Sequence, residues 1–150
     1  MRAVIQRTRS ASVSIHGEIR GKIELGLLLF LGIEAGDTPE EGQWLAEKCA
    51  ALRIFADDEG LMNRSVRDIQ GDILVISQFT LIASTKKGTR PSFHNAEKPA
   101  LAQPLYEAFL AKLALALGRP VAAGEFGADM QVSLINDGPV TLIIDSRRRE

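Results

Sequence analysis

Leu25-Gly26-Leu27-Leu28-Leu29-Phe30-Leu31-Gly32-Ile33 is apolar at odd and even positions alike. A strand with one face in water alternates in polarity, so this run fits a central strand covered on both sides. The glycines within it suggest close approach by another backbone.

Toward the amino end, Ala3-Val4-Ile5 reads as a short strand and Ser12-Val13-Ser14-Ile15 alternates in the strand manner. His16-Gly17-Glu18 supplies a turn, which makes residues 12 to 23 a hairpin. Toward the carboxyl end, Thr38 as N-cap, Pro39 at the first helical position and Glu41 three residues past the cap start a helix. Trp44, Leu45, Cys49 and Leu52 share one of its faces. Arg53-Ile54-Phe55 is extended again, and Asp57-Asp58-Glu59-Gly60 reads as a solvated hairpin tip, lacking the length and alternation of a calcium loop.

Asp72 to Ile82 is the second long strand candidate. It passes from an apolar start into Ser77-Gln78-Phe79-Thr80, polar groups at the carboxyl end where open sheets often hold ligands. A second helix runs from Pro99 to Leu117, with Leu105, Phe109, Leu113 and Leu117 at helical spacing. Pro104 makes its first turns irregular or marks where regular helix begins, and Gly118 and Pro120 stop it. Val132-Ser133-Leu134-Ile135 and Val140 to Ile144 are strands on either side of a turn, and Arg147 to Glu150 reads as a frayed charged tail. Six or seven strands against two helices predict an α+β fold, a mostly antiparallel or mixed sheet with both helices on one side.

The chain has 150 residues, enough for one domain over 1–150 that buries about two-thirds of its unfolded surface. A formal net charge of −1 gives no bulk attraction to nucleic acid or membrane, so such a partner must be met by a local patch. The single Cys49 reads as a buried reduced thiol, no targeting segment opens the chain, and the Leu25–Ile33 block is too short to span a bilayer. A cytosolic location is expected.

Asn136-Asp137-Gly138-Pro139-Val140-Thr141 forces a sharp reversal, because Gly takes backbone angles other residues avoid and Pro fixes one dihedral. A Gly-Pro bond also offers the one common chance of a cis peptide, in which the flanking carbonyls become a rigid pair of acceptors with no side chain in front. Read locally, the same residues simply turn the chain into its last strand. His16 and His94 lie far in sequence from any nucleophile, and with one cysteine they give no zinc spacing. No Walker loop and no Gly-x-Gly-x-x-Gly is found, so neither metal nor cofactor is expected. Hydroxyls, an amide and main-chain groups remain. Such a site orients an already labile substrate and stabilises an oxyanion through backbone N–H groups, which suits an activated ester.

Four stretches in order, Ser77-Gln78-Phe79-Thr80-Leu81, Lys87-Gly88-Thr89-Arg90-Pro91-Ser92-Phe93, Phe126-Gly127-Ala128-Asp129-Met130 and Asn136 to Thr141, resemble the D-aminoacyl-tRNA deacylase family. Met1 to Arg7, Ala11-Ser12-Val13, Asn63 and Ser65-Val66 are similar to it as well, so the likeness covers essentially the whole chain. The resemblance implies a homodimer in which the cis Gly138-Pro139 turn of one subunit enters the other's pocket. There its carbonyls hold the amino group of a D-aminoacyl moiety and leave no room for an L side chain. It further implies that Ser77, Gln78, Phe79 and Thr80 line the scissile ester of an aminoacyl-tRNA 3′ end. Phe126 and Met130 then contact the terminal adenosine, and Arg7 braces the turn. Charge alone nominates Lys86, Lys87 and Arg90 for acceptor-arm phosphates. Neither DNA nor membrane is expected as a partner.

Thr80 as nucleophile and the RNA's own 2′-hydroxyl are both open as the driver of hydrolysis. The second is favoured because Thr80 has no visible base. Glycyl esters, with no side chain to exclude, should also be hydrolysed. Two other readings fit the residues: a dimer that binds adenosine or an RNA 3′ end without cleaving it, and a hydroxyl-nucleophile esterase of small metabolites.

Overall fold

A computed structural model describes residues 1–149. Eight strands and two helices follow in the order β1 (Arg2–Ile15), β2 (Glu18–Ile23), β3 (Gly26–Gly32), α1 (Pro39–Ala51), β4 (Phe55–Ala56), β5 (Met62–Arg64), β6 (Asp72–Ser77), α2 (Pro99–Leu117), β7 (Ala122–Ala123) and β8 (Gln131–Asp145). A 3-10 turn, Phe79–Ile82, follows β6. Six strands form one sheet in the order β2-β1-β3-β6-β7, with β8 along β1; β4 and β5 make a separate hairpin. β1 runs antiparallel to β2, β3 and β8, whereas β3–β6 and β6–β7 are parallel, so the sheet is mixed.

The apolar run is β3, and both of its faces are covered. Leu27 and Leu29, level with Ile73 and Val75 of β6, pack against Leu45 and Cys49 of α1 and Phe109 and Leu113 of α2. Leu28, Leu74 and Ile76 face the other way, onto Val13, Ile23, Met130 and Val132. Both helices therefore lie on one face, and the other is covered by folded-back sheet. Asp72 comes so close to Gly26 that a Cβ there would lie 1.9 Å from its carbonyl oxygen.

β1 is one strand of 14 residues, where the sequence suggests two pieces. Its pairing with β8 slips between Gln6 and Thr8 and again between Thr8 and Ser10. Bulges bend a strand and re-aim its side chains, so Ala3 and Ile5 serve the helix-side core while Ala11 and Val13 serve the other. The polar Gln6-Arg7-Thr8-Arg9 stretch that hid this continuity is the bend itself.

α1 begins on a reciprocal capping box, Glu41 N–H to Thr38 Oγ1 at 3.3 Å and Thr38 N–H to Glu41 Oε2 at 2.8 Å, worth about 1 kcal/mol. α2 starts at Pro99 and runs through Pro104, which forgoes one backbone bond without ending the helix. Its buried stripe is Ala102, Tyr106, Phe109, Leu113 and Leu117, with Leu105 half-buried against the same core beside it. By length and composition α2 could cross a membrane, but this stripe belongs to the core. The end of the chain is not frayed through Arg149. Arg147 pairs with Asp37 at 3.0 Å and Glu41 at 3.4 Å, and the Arg149 guanidinium lies 4.3 Å from the Trp44 ring centre. Glu150 lies outside the described residues.

Candidate active site

Parallel β3 and β6 end side by side, Leu31 opposite Ser77, and a cleft of about 840 Å³ opens beyond their carboxyl ends. That volume is within the usual range for small-ligand sites. Parallel strands leave such a crevice because their connections cross over the sheet faces and not over the ends.

Ser77, Gln78, Phe79, Phe126 and Met130 line the cleft together. The strand candidate that ran to Ile82 stops at Ser77. Gln78 N–H makes a last bond to the Leu31 carbonyl at 2.8 Å, and Leu81 N–H turns back to the Gln78 carbonyl at 3.2 Å. This break puts Phe79 at the mouth, 57% exposed, with its ring edge-on to Phe93 at 5.2 Å. Thr80 is exposed beside the cleft and is not part of its lining. The Gln78 side-chain amide donates a hydrogen bond to Thr80 Oγ1 at 2.5 Å, so in this contact it is no base for the hydroxyl. At the amino end of the 3-10 turn, the N–H groups of Phe79 and Thr80 meet no acceptor among the described residues.

Tyr106 and Phe93 complete the aromatic lining. Tyr106 is buried, donates to the Val75 carbonyl at 3.1 Å and leans on Phe126 with ring centres 5.7 Å apart. Burial pushes its hydroxyl up to about 12, so it stays a donor at neutral pH. Gly124 N–H reaches the same Val75 carbonyl at 3.2 Å, and a Cβ on Gly124 would meet Met130 Sδ at 2.5 Å. One carbonyl of β6 thus anchors the loop that carries Phe126 and Met130. Sequence spacing picked out Leu105 and passed over Tyr106, the more deeply buried of the two; the aromatic-plus-hydroxyl chemistry was the available signal.

The charged residues of the lining are Glu97, Lys98 and Asp129. Glu97 accepts from Lys98 N–H at 2.8 Å and Gly36 N–H at 3.3 Å, which ties the 93–98 wall to the turn before α1. His94 Nδ1 is 2.5 Å from Ser92 Oγ and lies outside the lining. Cys49 is deep under α1, its thiol pushed up to about 12 by burial, and takes no part. No group of three or more His, Cys, Asp or Glu able to hold a metal occurs among the described residues. Lys86, Lys87 and Arg90 are exposed on the loop after the 3-10 turn and do not enter the cleft.

The Gly138-Pro139 turn lies elsewhere, within β8, and its peptide is cis. Arg7 grips it from β1: Nε donates to the Asp137 carbonyl at 3.0 Å and Nη1 to the Ile54 carbonyl at 2.6 Å. The Asp137 carboxylate pairs with Arg7 at 3.3 Å and Arg9 at 3.0 Å. Asn136 closes the turn internally, accepting from Val140 N–H and donating to Thr141 Oγ1, each at 3.1 Å. Gly138 has φ +126°, and a Cβ there would meet Arg7 Nη2 at 2.8 Å and Val140 Cγ2 at 2.9 Å. Gly138 and Pro139 themselves are exposed.

Strand register measures how far this turn is from its own chain's cleft. Asn136 is level with Thr8 and Gly26, at the amino end of β6, while Ser77 is at the opposite end. From β8 across β1 and β3 to β6 is about 14 Å, and the offset along the strands is about 13 Å. The turn does not line its own chain's cleft.

Residues 4–145 match the family described as D-Tyr-tRNA(Tyr) deacylase. A D-aminoacyl-tRNA deacylase of Opitutus terrae is 63% identical over 150 residues, covering 100% of both chains. One of Akkermansia muciniphila is 59% identical over the same span, again with 100% of both covered. Among solved structures, a c-Myc DNA unwinding element binding protein superposes with a TM-score of 0.92 at 41% identity, covering 97% of this chain and 98% of that one. A probable eukaryotic D-amino acid tRNA deacylase superposes with a TM-score of 0.82 at 18% identity, covering 95% and 97%, a likeness of fold.

Proposed function

We infer, from the premise that this chain belongs to the D-Tyr-tRNA(Tyr) deacylase family, that it hydrolyses the ester of D-aminoacyl-tRNA and releases free D-amino acid and tRNA. The observation that carries the site assignment is the joint lining of one cleft by Ser77, Gln78, Phe79, Phe126 and Met130, drawn from two separate stretches of chain. The cleft takes the 3′ end of the aminoacyl-tRNA, with the adenosine on Phe126 and Met130 and the ester beside Ser77, Gln78 and Phe79. Lys86, Lys87 and Arg90 meet acceptor-arm phosphates by charge. The working molecule is a cytoplasmic homodimer, without DNA or membrane as a partner.

Chemistry in this cleft is left largely to the substrate. An aminoacyl ester beside a free ribose hydroxyl is already reactive, and the 2′-hydroxyl assists while the Phe79 and Thr80 N–H groups hold the developing oxyanion. Thr80 is a poor nucleophile, because the one side chain bonded to it is a donor.

Selection between hands comes from the Gly138-Pro139 turn of a second copy. Arg7 occupies the Asp137 carbonyl, which leaves the Gly138 and Pro139 carbonyls as the turn's outward acceptors for the substrate's amino group. Two features support this reading: the turn cannot reach its own cleft, and β8 is a 15-residue edge strand exposing Ile135 and Ile143. An unpaired edge of that length is a template for pairing with another copy. An L side chain then clashes with the rigid turn, while a glycyl ester passes.

Purified protein mixed with D-tyrosyl-tRNA and L-tyrosyl-tRNA tests the reading. Rapid release of D-tyrosine with the L ester spared is the expected result. Release of neither amino acid leaves a binding protein, and release of both at equal rates leaves an unselective esterase.

A further inference from the structure

Arg2 stands at the start of β1, opposite Asp145 at the end of β8. Its Nε and Nη2 reach Asp145 Oδ2 at 3.3 and 3.1 Å, while Nη1 donates to the Leu81 carbonyl at 2.7 Å. Leu81 belongs to the 3-10 turn Phe79–Ile82, whose amino end presents the unpartnered Phe79 and Thr80 N–H groups. One guanidinium therefore links the last strand of the sheet to the turn that carries the main-chain donors of the cleft.

The turn has few other restraints. It holds itself by Leu81 N–H to the Gln78 carbonyl at 3.2 Å and Ala83 N–H to the Thr80 carbonyl at 3.1 Å. Beneath it, Gly32 lets the backbone close in, since a Cβ there would stand 2.9 Å from Leu81 Cβ, and Ile82 is buried. Four residues of 3-10 helix have poor hydrogen-bond geometry of their own. A charge-assisted bond to the Leu81 carbonyl is the strong tie at the far end.

We propose that Arg2, oriented by Asp145, is a positioning residue for deacylation: it fixes the Leu81 peptide and so aims the Phe79 and Thr80 N–H groups at the ester. This rests on the reading of the cleft as a deacylase site. Arg2 does not line the cleft, so any effect on chemistry passes through the turn. The task needs a fork. Arginine serves a carboxylate and a carbonyl at once in fixed geometry, whereas lysine offers a single nitrogen. Partial burial raises the Asp145 carboxyl, but the Arg147 N–H and the hydrogen bond and charge of Arg2, with the Met1 ammonium further off, outweigh it and hold the group below its ordinary range. The orienting partner is thus ionised at neutral pH.

Arg2→Lys, Arg2→Met, Asp145→Asn and the Arg2→Met/Asp145→Asn double variant of the full chain test the proposal by two readouts. Steady-state D-tyrosyl-tRNA deacylation should show kcat down about tenfold in each single variant with KM within about twofold. The double variant should be no worse than Arg2→Met, as for two residues acting as one unit. Amide hydrogen exchange should speed up at Leu81 and Ala83 while the β3 and β6 amides stay protected. Unchanged exchange at Leu81 and Ala83 overturns the clamp, whatever the activity. Faster exchange with intact kcat, a rise in KM alone, or full activity in Arg2→Lys overturns the catalytic role. An inactive wild type overturns the deacylase reading and with it that role, while the exchange readout still decides whether Arg2 holds the turn.

Discussion

The cleft and the Gly138-Pro139 turn are built in opposite ways. The cleft is wide, its rim ring Phe79 is 57% exposed, and neither histidine lies in its lining. The turn is narrow and over-determined, held by Arg7, Arg9, Asp137 and Asn136 and free of any side chain at Gly138. A soft site suits a substrate that supplies its own reactivity, and a stiff one suits a filter that must not yield to the wrong hand. The contrast teaches a division of labour: rate lives in the cleft and the RNA, discrimination in the turn.

The largest effect should come from the substrate. Replacing the terminal ribose 2′-hydroxyl by hydrogen is expected to slow release of D-tyrosine by about 10³-fold, whereas Thr80→Ala stays within about threefold of wild type. The reverse pair, measured by single-turnover release, breaks the division by making the cleft chemically active. Next comes the turn. Gly138→Val adds a branched Cβ where a single carbon already meets Arg7 and Val140 below 3.0 Å. D-ester hydrolysis should fall about 100-fold while circular dichroism stays native. An unaltered rate places discrimination elsewhere.

Smaller effects sharpen the boundary between the two regions. Arg7→Ala removes two main-chain bonds and leaves the Asp137 carboxylate to Arg9 alone, so the D-to-L rate ratio should shrink about tenfold at a stability cost of about 2 kcal/mol. Tyr106→Phe keeps the ring against Phe126 and leaves the Val75 carbonyl its Gly124 donor. Urea unfolding should register about 1 kcal/mol, with the rate ratio unmoved. The smallest effect on stability is at Asp145. Its carboxyl is lower in the fold than in the unfolded chain, so its contribution is present above its unfolded value and lost as pH falls through the folded one. Asp145→Asn should therefore be less stable than wild type at pH 7, with the gap closing below the ordinary aspartate value of 3.8.

Much of this was legible in the residues. Thr38, Pro39 and Glu41 announced α1, and the double-faced run announced β3, because caps and burial act over a few neighbours. The second strand candidate ran too far because Phe79, Leu81 and Ile82 continue an apolar pattern that does not reveal an i to i+3 bond. β1 read as two strands because a bulged bend carries polar residues at its corner. The mixed sheet, Tyr106 under Phe126 and the Arg2 bridge from Asp145 to Leu81 join residues far apart in sequence. Local pattern holds no trace of such partners. Four motifs named the candidate residues; only the register of β8 against β1 and β3 revealed that the turn and its own cleft are apart.

That separation is tested most directly by mixing two disabled proteins. Gln78→Ala impairs the cleft and spares the turn, while Gly138→Val spares the cleft and spoils the turn. Unfolded together and refolded as mixed dimers, the pair should regain about a quarter of wild-type D-tyrosyl-tRNA hydrolysis, because half the dimers are mixed and each holds one sound cleft facing one sound turn. Activity no greater than the sum of the two separate proteins would contradict a cleft completed by its neighbour.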